Sequence, residues 1–264
     1  MASLSIGKAW EDSVAFVRRE WELLSLVALL FMTIPSIILQ QMVPPELVQW
    51  ASQRKGDLPP LPADFVLGMG ICLLVTAFGS LALFALALRP GISAGEALRL
   101  GVARLPAFLG SMLVMTGIFA AAILLLAVPI AVLAMVSRIA GGLAVTFGTA
   151  MLFGFIGYAS IRLLLLNPVV LDRPEGPLGL LRRAWRLSQG HFLRLFAFFI
   201  VFSLVTLVVS EAARIVLGSI GGLVGGAGAS VAIGNIASTI ATTAVQVYGI
   251  AMLSRIYRQL DPGR

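Results

Sequence analysis

Charge is what this sequence has least of. Only 12% of its 264 residues are Asp, Glu, Lys or Arg, while 59% are hydrophobic. A water-soluble domain carries about 25% charged and roughly 45–50% apolar residues. This chain cannot clothe a water-facing surface, so it reads as an integral membrane protein. Cysteine and histidine are nearly absent: Cys72 and His191 stand alone. That excludes a disulfide framework and a His/Cys metal centre. There is no Gly-rich phosphate loop with its lysine, no H-E-x-x-H and no G-x-S-x-G. The expectation is a chain with no catalytic residues, no bound metal and no cofactor. Lysine is scarce too, with Lys8 and Lys55 the only two.

What is present is long apolar runs. Six are long enough to cross a hydrocarbon layer of about 30 Å, which takes about 20 helical residues. They cover 23–43, 65–88, 107–136, 144–169, 192–217 and 230–253. Pro35 and Pro129 are expected to kink the first and third. The first run is too long for the core of a signal peptide and has no small-x-small cleavage site, so it is expected to stay as a helix.

Basic residues set the expected orientation. Lys8, Arg18 and Arg19 precede the first run. Arg89, Arg99 and Arg104 fall in the second connection. Arg173, Arg182, Arg183, Arg186 and Arg194 fall in the fourth, and Arg255, Arg258 and Arg264 close the chain. Only Arg54, Lys55, Arg138 and Arg214 fall on the other side. Both termini are therefore expected in the cytoplasm.

The stretch LLRRAWRLSQGHFLRLFAFF, residues 180–199, loads charge in front of an apolar run. At helical spacing Leu178, Leu181, Ala184, Trp185 and Ser188 share one face, opposite Arg182, Arg183 and Arg186. This is the pattern of a basic amphipathic helix in the membrane interface, with Trp185 at headgroup depth. It turns at Gly190 into the fifth run. Arg182, Arg183, Trp185, Arg186 and Arg194 are thus the candidate lipid-binding residues, for anionic headgroups. The device occurs twice more. Ile6, Trp10, Val14, Val17 and Trp21 line one face before the first run. Leu98, Val102 and Leu105 do so before the third, with Glu96 and Arg99 opposite. The chain reads as one all-α membrane domain, 1–264, in three units of interfacial helix, span and return span: approximately 5–88, 92–169 and 177–255.

Polar residues inside the runs are the other candidates. Arg162 lies in the fourth. It snorkels or makes a structural hydrogen bond on one reading, and meets a lipid phosphate or substrate on the other. Asn235, Thr239, Thr242 and Gln246 form a stripe in the sixth that is expected to face the bundle, as interhelical bonding or as the lining of a path. Gly218, Gly222 and Gly226 fit close helix packing or a flexible outer loop equally well. Glu211 and Arg214 suit a local ion pair, His191 an interfacial polar anchor and Cys72 simple packing.

RLLLLNPVVLDRPEGPLGLLRRAWRLSQGHFLRLF, residues 162–196, and YRQLD, residues 257–261, resemble the membrane domain of the glycerophosphoryl diester phosphodiesterase family and related six-span bacterial inner-membrane proteins. Arg162, Pro168, Asp172, Glu175, Arg182, Arg183, Ala184, Trp185, Leu187 and Gly190 carry the likeness. The resemblance implies a multi-pass protein of the bacterial inner membrane. It does not imply hydrolysis, because the soluble barrel of fused relatives needs about 250 residues of its own. The sole histidine, His191, is followed by Phe192 and Leu193 rather than Arg-Gly. The expected function is a non-enzymatic lipid-interacting scaffold or accessory protein, or alternatively a transporter or channel for a small solute or lipid. The expected partners are membrane lipids, anionic ones above all, with a protein partner or a second copy, and no nucleic acid.

Overall fold

The computed structural model describes residues 5–53 and 57–261, so Arg54, Lys55 and Arg264 of the orientation argument lie outside it. Every regular element within those residues is helical. In chain order they are α1 (Ile6–Arg19), α2 (Trp21–Ala28), a π turn (Leu29–Thr33), α3 (Ile34–Met42), α4 (Pro45–Gln53), α5 (Ala63–Leu88), α6 (Ala94–Val136), α7 (Arg138–Arg162), α8 (Leu166–Asp172), α9 (Pro177–Leu187) and α10 (Phe192–Leu260). Five helices are long and apolar enough to cross a membrane: Trp21–Met42, Ala63–Leu88, Ala94–Met135, Arg138–Asp172 and Phe192–Leu260. The chain is an all-α protein of the multi-pass membrane type.

The last of these is not one rod. As a straight helix it would reach about 100 Å, three times a hydrocarbon layer. At Gly226 the backbone leaves helical space (φ 76°, ψ −168°), and the chain doubles back. The arms, 192–225 and 227–260, then lie side by side through glycines. A Cβ on Gly218 would sit 3.0 Å from the Ser230 carbonyl oxygen and 3.4 Å from the Gly234 Cα. A Cβ on Gly234 would sit 2.9 Å from the Arg214 carbonyl oxygen. Gly218 and Gly222 are therefore packed helix, both against Ser230 of the returning arm, while Gly226 is the reversal itself.

Local chemistry explains the other breaks. Ser93 and Glu96 form a reciprocal capping box at the start of α6, and the Ser137 hydroxyl caps α7. Pro35 follows the π turn, which absorbs the amide that proline cannot donate. Gly190, at φ 79°, ends the α9 segment and re-aims the chain into α10.

Two expectations need correction. The interfacial helix before the third run is not separate: α6 runs unbroken from Ala94 to Val136 through both Pro106 and Pro129. The fourth run is not continuous, because helix α7 stops at Arg162 and resumes as α8 at Leu166.

The core sits at the end of the bundle that carries α1, α8 and α9. Leu81 to Ala87 of α5 are buried without a gap, beside Leu165, Val169, Leu171, Leu180, Leu195 and Ile256. The far tips are bare, with Leu223 and Val224 exposed by 89% and 86%.

The amphipathic helices bury only part of their apolar residues within the protein. In α1 the buried residues are Ala9, Ser13, Phe16 and Val17, while Trp10 and Trp21 lie on the surface. In α6 they include Ala97 and Gly101 rather than Val102. In α9 they are Leu180, Leu181 and Ala184, and Leu178 is exposed. The cause is the solvent. Lipid is as apolar as leucine, so an apolar face gains little more from protein than from lipid, and an amphipathic pattern alone does not fix which face is buried.

Candidate functional site

Three helices end around one cavity of about 300 Å³. Helix α5 brings Leu88 and Arg89, α8 brings Leu171, Asp172 and the following Arg173, and α10 brings Tyr257, Arg258 and the following Asp261. Ala85, Leu88, Leu100 and Leu171 supply apolar wall. The polar groups are wired together. The Tyr257 hydroxyl donates to Asp172 Oδ2 at 2.8 Å and also approaches Asp261 Oδ2 at 3.2 Å. Arg183 Nη2, reaching in from α9, donates to Asp261 Oδ2 at 2.8 Å, and its Nη1 faces Glu175 Oε1 at 3.4 Å. Arg173 faces Asp172 at 3.4 Å and Asp261 at 3.6 Å. Arg258 donates through Nη2 to the Leu88 carbonyl oxygen, so a cation closes the C-terminal end of α5.

Burial works to raise the Asp261 carboxyl. The Arg183 hydrogen bond and charge, the Tyr257 hydroxyl and Arg173 outweigh it and hold that carboxyl below its ordinary range. Asp261 is thus an anion clamped between two guanidiniums.

This cluster joins the two stretches that carry the family resemblance, which are far apart in sequence. Asp172, Glu175 and Arg183 come from the first, Tyr257 and Asp261 from the second. Sequence reasoning missed it as a site. The only advance signal was that Asp and Arg crowd the ends of successive apolar runs on one side.

A second cavity, of about 600 Å³, lies between α1 and α10. It is a lateral groove lined by Trp10 and Val14 of α1 and by Phe198, Val201, Tyr248 and Met252 of α10, with Arg18 at its polar edge. Trp10 and Tyr248 stack across it, with centroids 6.2 Å apart. Arg255 lies over the Phe16 ring at 5.2 Å and pins α1 to the end of α10.

The residues singled out in the sequence divide between several environments. Arg182 and Arg186 are exposed on α9, and Arg194 is exposed at the start of α10. Arg183 is drawn into the cluster. Trp185 is not a free headgroup anchor. It packs edge-on against Tyr158 at 5.6 Å and under Arg162 at 5.4 Å. Arg162 ends α7 inside an aromatic cage of Tyr158, Trp185 and Phe192. Its Nε and Nη2 both donate to the Tyr158 hydroxyl, at 2.9 and 2.7 Å. That geometry ties α7, α9 and α10 together, and the guanidinium gains from the ring faces.

The polar stripe needs correction: it does not point into the bundle. Asn235 and Gln246 are exposed, and Thr239 and Thr242 are half-buried. One interhelical bond exists, from Gln40 Nε2 of α3 to Thr239 Oγ1 at 2.8 Å. The buried hydroxyl of this arm is Thr243, one position away. Glu211 and Arg214 do form the local pair, with Arg214 Nε 2.8 Å from Glu211 Oε2. His191 Nδ1 lies 3.2 Å from the Gln189 carbonyl oxygen in the turn before α10, and Cys72 is buried in α5. Comparison with family models, with curated proteins and with solved structures yields no match to this chain.

Proposed function

We propose that this is a non-enzymatic integral membrane protein that binds phospholipid and organises it as a scaffold or accessory protein. The observation that carries the reading is the groove between α1 and α10. It is apolar along its length, opens sideways, and ends at Arg18. An acyl chain matches the first two features and an anionic headgroup the third. Arg182 and Arg186 on α9 and Arg194 extend the basic surface at the same end of the bundle. In this reading both arms of α10 cross the membrane, giving six crossings. The α1, α8 and α9 end then lies at the cytoplasmic face of a bacterial inner membrane, and the order of elements follows a three-unit plan. The transport reading gains no comparable support, because Asn235 and Gln246 lie on the outer surface and line neither cavity.

The test uses a variant whose only tryptophan is Trp10, reconstituted with phosphatidylglycerol brominated on its acyl chains. Filling the groove supplies the control, through Val14→Phe with Val201→Phe. The expected result is saturable quenching at a mole fraction well below that of bulk contact, lost on filling. Quenching that tracks the bulk fraction identically in both proteins would mean that no lipid site exists in the groove.

A further inference from the structure

We propose that the returning arm of α10 docks on the same arm of a second copy of this chain, through the face that carries Asn235, Thr242 and Gln246. The inference rests on both arms of α10 crossing the membrane, and not on the groove beneath α1. Position is the first argument. At 100° per residue the three side chains fall within about 40° of one line, and Asn235 and Gln246 are about three turns apart. Val245, Tyr248 and Met252, which line the groove, lie about 60–160° round the helix from them. Gln246 is about 14 Å along the arm from Arg255, which packs on Phe16 of α1. That is near the middle of a hydrocarbon layer of about 30 Å, and Asn235 falls near its far edge.

Unmet hydrogen bonding is the second argument. Asn235 and Gln246 are exposed, and neither carboxamide makes a hydrogen bond among the described residues. An exposed hydroxyl in a span can turn back on its own helix, as Thr146 does to the Gly142 carbonyl oxygen at 3.0 Å. A carboxamide brings two N–H donors as well as an acceptor, and lipid tails answer none of them. The outward surface of other spans is bulky and apolar, as at Leu124, Leu125 and Val128 of α6 and Phe147 and Phe153 of α7. Beside the amides the chain already uses the remedy once: Gln40 of α3 donates to Thr239 of the same arm at 2.8 Å.

Symmetry names the partner. Copies of one chain in one membrane share an orientation, so like faces meet about a two-fold axis along the membrane normal. Residues of equal depth then stand opposite: Gln246 meets Gln246, and Asn235 meets Asn235. A carboxamide both donates and accepts, so each pairs reciprocally with its own copy. The pairs fix the register of the two helices, as a polar Asn does in a coiled coil. Thr242, small and half-buried between them, lets the two helices approach.

The experiment follows Förster transfer between donor- and acceptor-labelled full-length chains in vesicles of phosphatidylcholine and phosphatidylglycerol, as the protein is diluted in lipid. The variants are Gln246→Leu, Thr242→Trp to obstruct the face, and Thr146→Val on α7 as the control. Transfer in the parent and in Thr146→Val should fall along one dimer-to-monomer curve. Gln246→Leu should move that curve to a protein fraction about tenfold higher, the size of two interhelical hydrogen bonds. Thr242→Trp should move it at least as far. Both side chains lie at the outer surface of the arm, so thermal unfolding of Gln246→Leu in detergent should match the parent, which separates lost contact from lost fold. In a Cys72→Ser background, Thr242→Cys should join two chains under a membrane-permeant oxidant and Leu125→Cys should not. Parental transfer no greater than random proximity gives, a parental curve in Gln246→Leu or Thr242→Trp, or equal joining through both cysteines would overturn the interface. Trp10 quenching measured on Gln246→Leu reports the groove independently.

Discussion

Replacing Asp261 by asparagine keeps the shape of the side chain and removes the charge that two arginines face. Arg183 loses a charge-assisted bond of 2.8 Å, Arg173 an ionic partner at 3.6 Å and Tyr257 an acceptor at 3.2 Å. A hydrogen bond to a charged group contributes about 1.5–3 kcal/mol. Breaking a fully buried pair costs about 3–5 kcal/mol. Here the side chains of Asp261 and Arg183 retain 14% and 24% exposure, so water relieves part of the loss. We expect Asp261→Asn to destabilise by about 2 kcal/mol, on the order of thirtyfold in the folding equilibrium. The assay is unfolding by denaturing detergent in mixed micelles, run as a double-mutant cycle with Arg183→Gln. The coupling energy should be about 1–2 kcal/mol. The pH dependence supplies a second reading. The folded Asp261 carboxyl is held below its ordinary value, so its contribution is complete above about pH 4 and is lost as pH falls through the lower, folded value. The gap between parent and Asp261→Asn should therefore be full at pH 7 and shrink in acid. A coupling below about 0.5 kcal/mol, or a gap unchanged in acid, would refute the account of the cluster.

Three further outcomes are expected. Gly226→Ala should destabilise the α10 hairpin by about 1–3 kcal/mol, because its φ of 76° with ψ of −168° is glycine territory although the space around it is open; Gly228→Ala, also in open space but helical, should be neutral or mildly stabilising. Gly234→Leu should splay the arms, since even a Cβ there meets the Arg214 carbonyl oxygen at 2.9 Å, and its thermal unfolding in detergent should begin well below that of the parent. Cysteines placed at Arg99 and at Arg182 should resist an impermeant thiol reagent in intact cells while one at Gln53 reacts; labelling at Arg182 from outside would end the orientation in which α9 faces the cytoplasm.

The aromatic cage shows what remained illegible at residue level. Arg162 stood out because charge inside an apolar run is costly. Its partners did not, because Tyr158 is one turn back on α7 while Trp185 and Phe192 come from two other elements. An amphipathic pattern suggests an interfacial anchor at Trp185 but does not say whether the apolar face meets lipid or protein, and here the ring meets Tyr158 and Arg162. The stripe failed for a related reason. Polar residues at helical spacing were expected inside, yet the contacts that fix the arm run through Gly234, Ala237, Thr243 and Gly249. Close approach through these small residues turns Asn235 and Gln246 outward and leaves Thr239 at the edge of the contact, bonded to Gln40.

The sequence by itself determined the class of the molecule. Too little charge to face water and apolar runs of membrane length admit only helices, since each backbone amide must be satisfied within its own segment. It also marked the break at Gly190, where the chain turns into α10. Tertiary structure alone decided which faces meet. It doubled α10 back through Gly226, and it gathered Asp172, Arg183, Tyr257 and Asp261 around one cavity. The physical reason is that hydrophobicity separates the membrane from water but not one apolar surface from another. Inside lipid, contact is settled by how closely two backbones can approach and by which charge finds its counter-charge at the helix ends, and both depend on residues far apart in the chain.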